Sequence, residues 1–134
     1  MTARREREIR VRLPKETGGP TEVLALLEQR QIPTLTRSCF ADREGILLLL
    51  TTSQPEELQQ VLEAAGYVCQ THAVLLLGPA TYRPGAAAGL FVELGQQGVN
   101  ISYSYLSSVA SDLCFLVLET SNDERALEVV AAVA

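Results

Sequence analysis

The sequence predicts an α+β fold of two βαββαβ repeats, antiparallel sheets with helices on one face, the second repeat lacking its last strand. Three observations predict it. Apolar residues recur with period two and then with helical spacing, in the order β-α-β-β-α-β. That pattern then begins again: shifted by 67 positions, Gly18 falls on Gly85, Leu27 on Leu94, Ile32 on Val99 and Thr34 on Ile101. After the second hairpin the shift becomes 68, so that Glu56 meets Glu124 and Val61 meets Val129. Identity between the halves is slight, yet turns, helix faces and strand starts agree, which marks an internal duplication. Under the second shift Ala134 falls on Gly66, where the first half begins its final strand. The second half is therefore expected to lack a fourth strand of its own. Its edge is either left open, which invites strand addition by a partner, or covered by a neighbouring chain or by the first half's long strand. The expected repeats are residues 1–72 and 73–134.

Each element has its own reason. Ile9, Val11 and Leu13 alternate with Arg10 and Arg12, as in a strand with one buried face. After "KETGG", Pro20 and Thr21 open a helix carrying Val23, Leu24, Leu26 and Leu27, and Pro33 prevents its continuation. "TLTRSCFA" is strand-like, "DREG" a turn and "ILLLL" an aliphatic strand. Ser53 is the expected N-cap of the helix "PEELQQVLEAA", with Pro55 in its first turn and Gly66 at its end. "YVCQTHAVLLL" is one long strand or two running together. This strand order is the ferredoxin-like one. The second round reads "RPGAAAGLFVELGQQGVNI", "SYSYLSS", a hairpin, "LCFLVL" and a last helix opening at Asp123.

Composition narrows the function. With 134 residues, 47% hydrophobic and 20% charged, the chain is expected to fold around a core. A net charge of −5 argues against nucleic acid as a partner, because phosphate neutralisation needs Lys and Arg. "MTARRERE" is followed by no apolar h-region, and no run approaches the ~20 apolar residues that span a bilayer. No membrane contact and a cytoplasmic location are expected. "ILLLL" and "LCFLVL" are apolar on both faces, so the second face of the sheet should also be covered. A unit of about 67 residues buries only ~60% of its unfolded surface. Packing of the halves against each other, and of two chains in a homodimer, is the expected answer to both problems.

No catalytic constellation emerges. The acids sit in helix first turns (Glu56, Glu57, Asp123, Glu124) or turns (Asp42, Glu44), where solvation or the helix dipole explains them. Cys39, Cys69 and Cys114 lack metal-ligand spacing and read as reduced, buried small hydrophobes. His72 is the lone histidine and reads as a surface or strand-edge residue. There is no nucleophile elbow or Walker loop, so neither an enzyme nor a cofactor or metal is expected. Gly85-x-x-x-Gly89 is explained by close helix packing.

"RPGAAAGLFVELGQQGVNI" is either punctuation or a site. Pro84 suits a helix first turn, Gly85 admits close approach to the backbone, and the helix N-terminus offers N–H groups to a carboxylate. Asn100 carries an amide donor and acceptor at the start of the next strand. With the second strand expected antiparallel to the first, turn and Asn100 would converge on one edge of the sheet. A free amino acid would suit that pair.

"YRPGAAAGLFVELGQQGVNISYSYLSS", then a hairpin and "LCFLVLETSNDERALEVV", closely resembles an ACT domain over most of residues 73–133. The first half, 7–72, matches only through the duplication, its loop being "KETGG" and Pro33 replacing the asparagine. The resemblance implies a tandem ACT protein, a regulatory module that binds amino acids or related small molecules between domains. Carried over by position, it implies ligand contacts at Arg83, Pro84, Gly85, Ala86, Asn100 and Ile101, and a weaker set at Thr17, Gly18, Gly19 and Thr34. Tyr82 stands where the family often has Asp. Tyr103 and Tyr105, expected on the strand face of Ile101, serve as packing or as an aromatic wall, and Arg37 could pair with a ligand carboxylate. The alternative to a ligand-binding regulator is a regulatory subunit or adaptor that docks on a metabolic enzyme without a ligand.

Overall fold

A computed structural model describes residues 2–14, 18–83, 85–110 and 112–133. The elements follow as β1 (Ala3–Leu13), α1 (Gly19–Gln29), β2 (Thr36–Asp42), β3 (Gly45–Thr51), α2 (Pro55–Ala64) and β4 (Cys69–Ala80). Then come α3 (Ala86–Gln96), β5 (Ile101–Ser108), β6 (Cys114–Thr120) and α4 (Asp123–Val133). The strands hydrogen-bond in the order β2-β3-β1-β4-β6-β5. Both shifts read from the sequence reappear in the coordinates. Gly19–Gln29 becomes Ala86–Gln96 at 67, and Pro55 becomes Asp123 at 68.

The chain divides into two compact units, Arg7–His72 and residues 2–6 with 73–133. In the first, β3 pairs antiparallel with β1 (Ile9↔Leu50, Leu13↔Ile46) and with β2 (Thr36↔Thr51, Asp42↔Gly45). Its core joins Ile9, Val11 and Leu13 to Val23 and Leu27 of α1 and Leu58 and Leu62 of α2. In the second, β6 pairs antiparallel with β4 (Leu75↔Leu118) and β5 (Ser104↔Leu118), under Leu90 and Leu94 of α3 and Val129 and Val130 of α4. Burying these aliphatic faces, at about 25 cal/mol per Å² removed from water, holds each unit together.

Residues 2–6 occupy the last-strand position of the second repeat, beside β4. The Gly78 N–H donates to the Thr2 carbonyl (2.8 Å), the Thr2 hydroxyl donates back to the Gly78 carbonyl (2.8 Å), and Ala3 packs on that core. That edge therefore does not invite strand addition. The second sheet face was expected to be covered, by the halves packing against each other and by a second chain. Leu49, Val74, Leu76, Phe115 and Val117, which point away from the helices, are already buried in the single chain.

Three local expectations change. Ser53 is not the cap of α2: Gln54 holds that place without a side-chain cap bond, and its N–H donates to the buried Thr52 hydroxyl (3.1 Å). Tyr103 and Tyr105 do not share a face with Ile101, because the register slips between Ile101↔Thr120 and Tyr103↔Glu119. That bulge leaves Ile101 against the helix-side core and turns both tyrosines to the other face. Finally, the second strand of the repeat is not antiparallel to the first. β4 and β5 are both antiparallel to β6, so they run the same way.

Candidate functional site

The turn into α3 is built by backbone conformation. Gly85 caps the helix with φ 84°, ψ −11°, and Gly18 caps α1 with φ 96°, ψ −7°, a left-handed geometry that side chains resist. The first repeat therefore keeps the cap conformation while changing the residues before it. Arg83, Gly85 and Ala86 are exposed, and the Ala86 N–H donates to the Arg83 carbonyl (3.1 Å). Gly18 and Gly19 are half-buried, and the Leu13 side chain lies 3.5 Å from where a Gly19 Cβ would stand. Thr17 and Pro84 lie outside the described residues.

Asn100 is exposed at the entry to β5, where its N–H donates to Ser121 Oγ (2.9 Å) and its carbonyl accepts the Ser121 N–H (2.9 Å). Ile101 is half-buried on the core, and Thr34 is half-buried beside Leu35, whose N–H donates to the Thr51 carbonyl (2.8 Å).

The structure brings Arg83, Gly85 and Ala86 together, and separately Asn100 with Ile101. It does not bring the two groups together within a repeat. Ala80, at the end of β4, and Ser108, at the end of β5, both pair with Cys114, whereas Ile101 pairs with Thr120 at the other edge. At about 3.3 Å per strand residue, the turn and Asn100 stand roughly 23 Å apart. No single amino acid bridges that. The parallel direction of β4 and β5 is the cause, and that of β1 and β2, both antiparallel to β3, likewise separates Gly18 and Gly19 from Thr34.

Beside the turn, between α3 and α4, runs a groove of about 420 Å³ lined by Gly85, Ala86, Gly89, Leu90, Glu93, Val130 and Val133. The spacing 85, 86, 89, 90, 93 is one helix face, so this signal was present in the sequence. Gly89 does not serve close packing inside the unit, since a Cβ there would meet nothing within 4 Å. Tyr103 and Tyr105 stack with centroids 6.3 Å apart and planes within 3°. Burial pushes the Tyr82 hydroxyl up to about 12, and it donates to the Leu77 carbonyl (3.4 Å).

The cysteines are free, but none is buried: Cys39 is exposed, and Cys69 and Cys114 are half-buried. Burial, with Glu63 nearby, pushes the Cys69 thiol up, away from the reactive thiolate. His72 is half-buried in β4. Among the described residues no group of three or more His, Cys, Asp or Glu could hold a metal ion, and no helix is long and apolar enough to cross a membrane.

Comparison with known proteins agrees with this architecture. No curated protein sequence matches the chain significantly. Protein BT0572 from Bacteroides thetaiotaomicron superposes with a TM-score of 0.84 at 22% identity, covering 97% of this chain and 89% of that one. The regulatory subunit of aspartate kinase from Thermus thermophilus, ligand-free, gives 0.69 at 17% identity, covering 98% and 97%. Aspartate kinase from Synechocystis gives 0.64 at 17% identity, with 98% of this chain on 26% of that one. At such identities these likenesses show a shared fold. The sequence profile of the ACT domain pair matches residues 6–133, nearly the whole of both units, and so this chain belongs to the family of paired ACT domains.

Proposed function

We propose that the chain is a non-catalytic cytoplasmic regulator that binds a free amino acid or related metabolite between ACT units of two copies. One observation carries this reading: the turn Arg83–Ala86 and the strand start Asn100–Ile101 flank opposite ends of α3. A two-fold axis that sets α3 antiparallel to its copy joins the turn of one chain to the Asn100 of the other, twice. The outer surface of α3 suits such a contact, because Ala86, Ala88, Gly89, Val92 and Gly95 are exposed and Glu93 is its one charged residue. Turn N–H groups and Arg83 would take the carboxylate, and the Asn100 amide would meet the ammonium. Asymmetry between the repeats supports a site in the second, since Pro33 stands where the asparagine would be in the first.

A thermal-shift series with the twenty amino acids, Asn100→Ala as control, tests this. A ligand that binds only the folded dimer raises its melting temperature, and Asn100→Ala abolishes the shift. Absence of any shift at millimolar concentration refutes the reading. Docking on a metabolic enzyme without a ligand draws support from another feature, the exposed Leu106, Val109 and Leu113 at the β5–β6 hairpin. That reading predicts co-purification of one enzyme whatever the amino-acid supply.

A further inference from the structure

We propose that a recess on the helix-free sheet face of the Arg7–His72 unit binds a small zwitterion, one carrying a carboxylate, an ammonium and an apolar tail. The recess measures about 280 Å³ and is lined by Arg10, Arg12, Glu44, Leu47, Val68 and Gln70. It shares no residue with the turn or the Asn100 strand start. Arg12 pairs with Leu47 across β1 and β3, and both point away from the core formed by Ile9, Val11 and Leu13.

The charges in this recess are half engaged. Arg12 Nη1 donates to Asp42 Oδ1 at 2.6 Å, and Asp42 in turn accepts the Glu44 N–H at 2.9 Å, which fixes the guanidinium plane. The other terminal nitrogen, Nη2, faces Glu44 Oε2 at 3.8 Å, beyond hydrogen-bond length. The Glu44 side chain is 79% exposed and can swing. A carboxylate entering this gap meets Arg12 Nη2, and the ammonium on the same molecule meets Glu44. One loose pair becomes two charge-assisted contacts, and the net charge of the recess stays the same.

An apolar tail also has a place to go. Val68 is 75% exposed immediately before β4, and it stands with Leu47 on the wall of the recess. A tail laid across both removes apolar surface from water that the free chain leaves wet. The second unit has no counterpart. Matched through the pairing with β3 and β6, Leu76 stands for Arg10 and the irregular Gly78–Pro79 stretch for Arg12, so the recess belongs to the first repeat alone.

Amide chemical shifts of ¹⁵N-labelled full-length protein, titrated with leucine, test this directly. Saturable shifts at Glu44, Leu47, Val68 and Gln70 are expected, and Arg12→Gln and Glu44→Gln should each weaken them by about tenfold or more. Asn100→Ala should leave them unchanged. Isocaproate, which lacks the ammonium, and isoamylamine, which lacks the carboxylate, should bind at least about tenfold more weakly than leucine. Equal binding of isocaproate, or wild-type binding by either variant, would overturn the assignment. So would leucine shifts confined to residues 83–101, which would leave the inter-copy site standing. No shifts anywhere at millimolar leucine removes the recess, whereas the inter-copy site answers to the wider amino-acid series.

Discussion

Gln31 occupies the position that Gly98 holds in the second repeat, and the two follow the same helix-ending geometry. The Ile32 N–H donates to the Leu27 carbonyl (2.9 Å), as the Val99 N–H does to Leu94 (2.9 Å), so each residue at the bend turns left-handed. Gly98 does so at φ 77° and Gln31 at φ 57°. Only glycine adopts this without steric cost, about 1 kcal/mol for other residues. Gln31→Gly should therefore raise the unfolding free energy from urea titration by up to about 1 kcal/mol, and Gly98→Ala should lower it by a similar amount. A Cβ at 98 meets nothing within 4 Å, so the second effect is backbone strain alone.

The same scale carries a pH prediction. The hydrogen bond from Arg12 holds the Asp42 carboxyl below its ordinary 3.8, with the Glu44 and Gly45 N–H groups adding to it. A carboxylate lowered on folding binds more protons unfolded, so its contribution is full above the unfolded value and lost as pH falls through the folded one. Asp42→Asn should lower stability slightly at neutral pH, leave it unchanged at pH well below the folded value, and so flatten the acid limb of the stability curve below about pH 4. The duplication made Gly18 and Gly85 legible as equivalent caps, but Gln31 carries no glycine to announce its bend.

Among the elements, β1 shows why a strand can be only half legible. Ile9, Val11 and Leu13 have the period-two pattern, whereas residues 3–7 read Ala-Arg-Arg-Glu-Arg and continue as strand nonetheless. Charge on both faces is what an edge segment bears, and it hides the strand from any hydrophobic pattern. The bulge at the start of β5 is equally silent, because the alternation of Ile101, Tyr103 and Tyr105 stays regular while the pairing slips by one residue. Deleting residues 1–6 removes the Thr2 bonds to Gly78 and the Ala3 contact. The second unit should then unfold at lower urea than the Arg7–His72 unit, splitting the transition seen by hydrogen exchange. Helix α3 behaves oppositely. Gly89→Ala adds helix propensity worth about 1 kcal/mol with no clash inside the unit. It should stabilise the isolated chain while crowding any helix that packs against it.

For the whole molecule, the two ends of the candidate site were legible and their separation was not. Gly85 and Asn100 stand out by residue type, but the common direction of β4 and β5 follows from β6 lying antiparallel between them, a consequence of the βαββαβ order and not of any local pattern. With the ends roughly 23 Å apart, a shared ligand makes oligomeric state and affinity one equilibrium. Saturating ligand should then tighten the dimer, and dilution should weaken ligand binding by the same free energy. Sedimentation across a protein dilution series, with and without the amino acid found by thermal shift, measures both sides. Val92 is 58% exposed on α3, so Val92→Glu should leave the folded monomer intact. By placing a desolvated charge on each side of the two-fold, it should abolish dimer and ligand response together. A Val92→Glu protein that stays monomeric yet binds the amino acid with wild-type affinity would place the whole site within one chain and refute the shared interface.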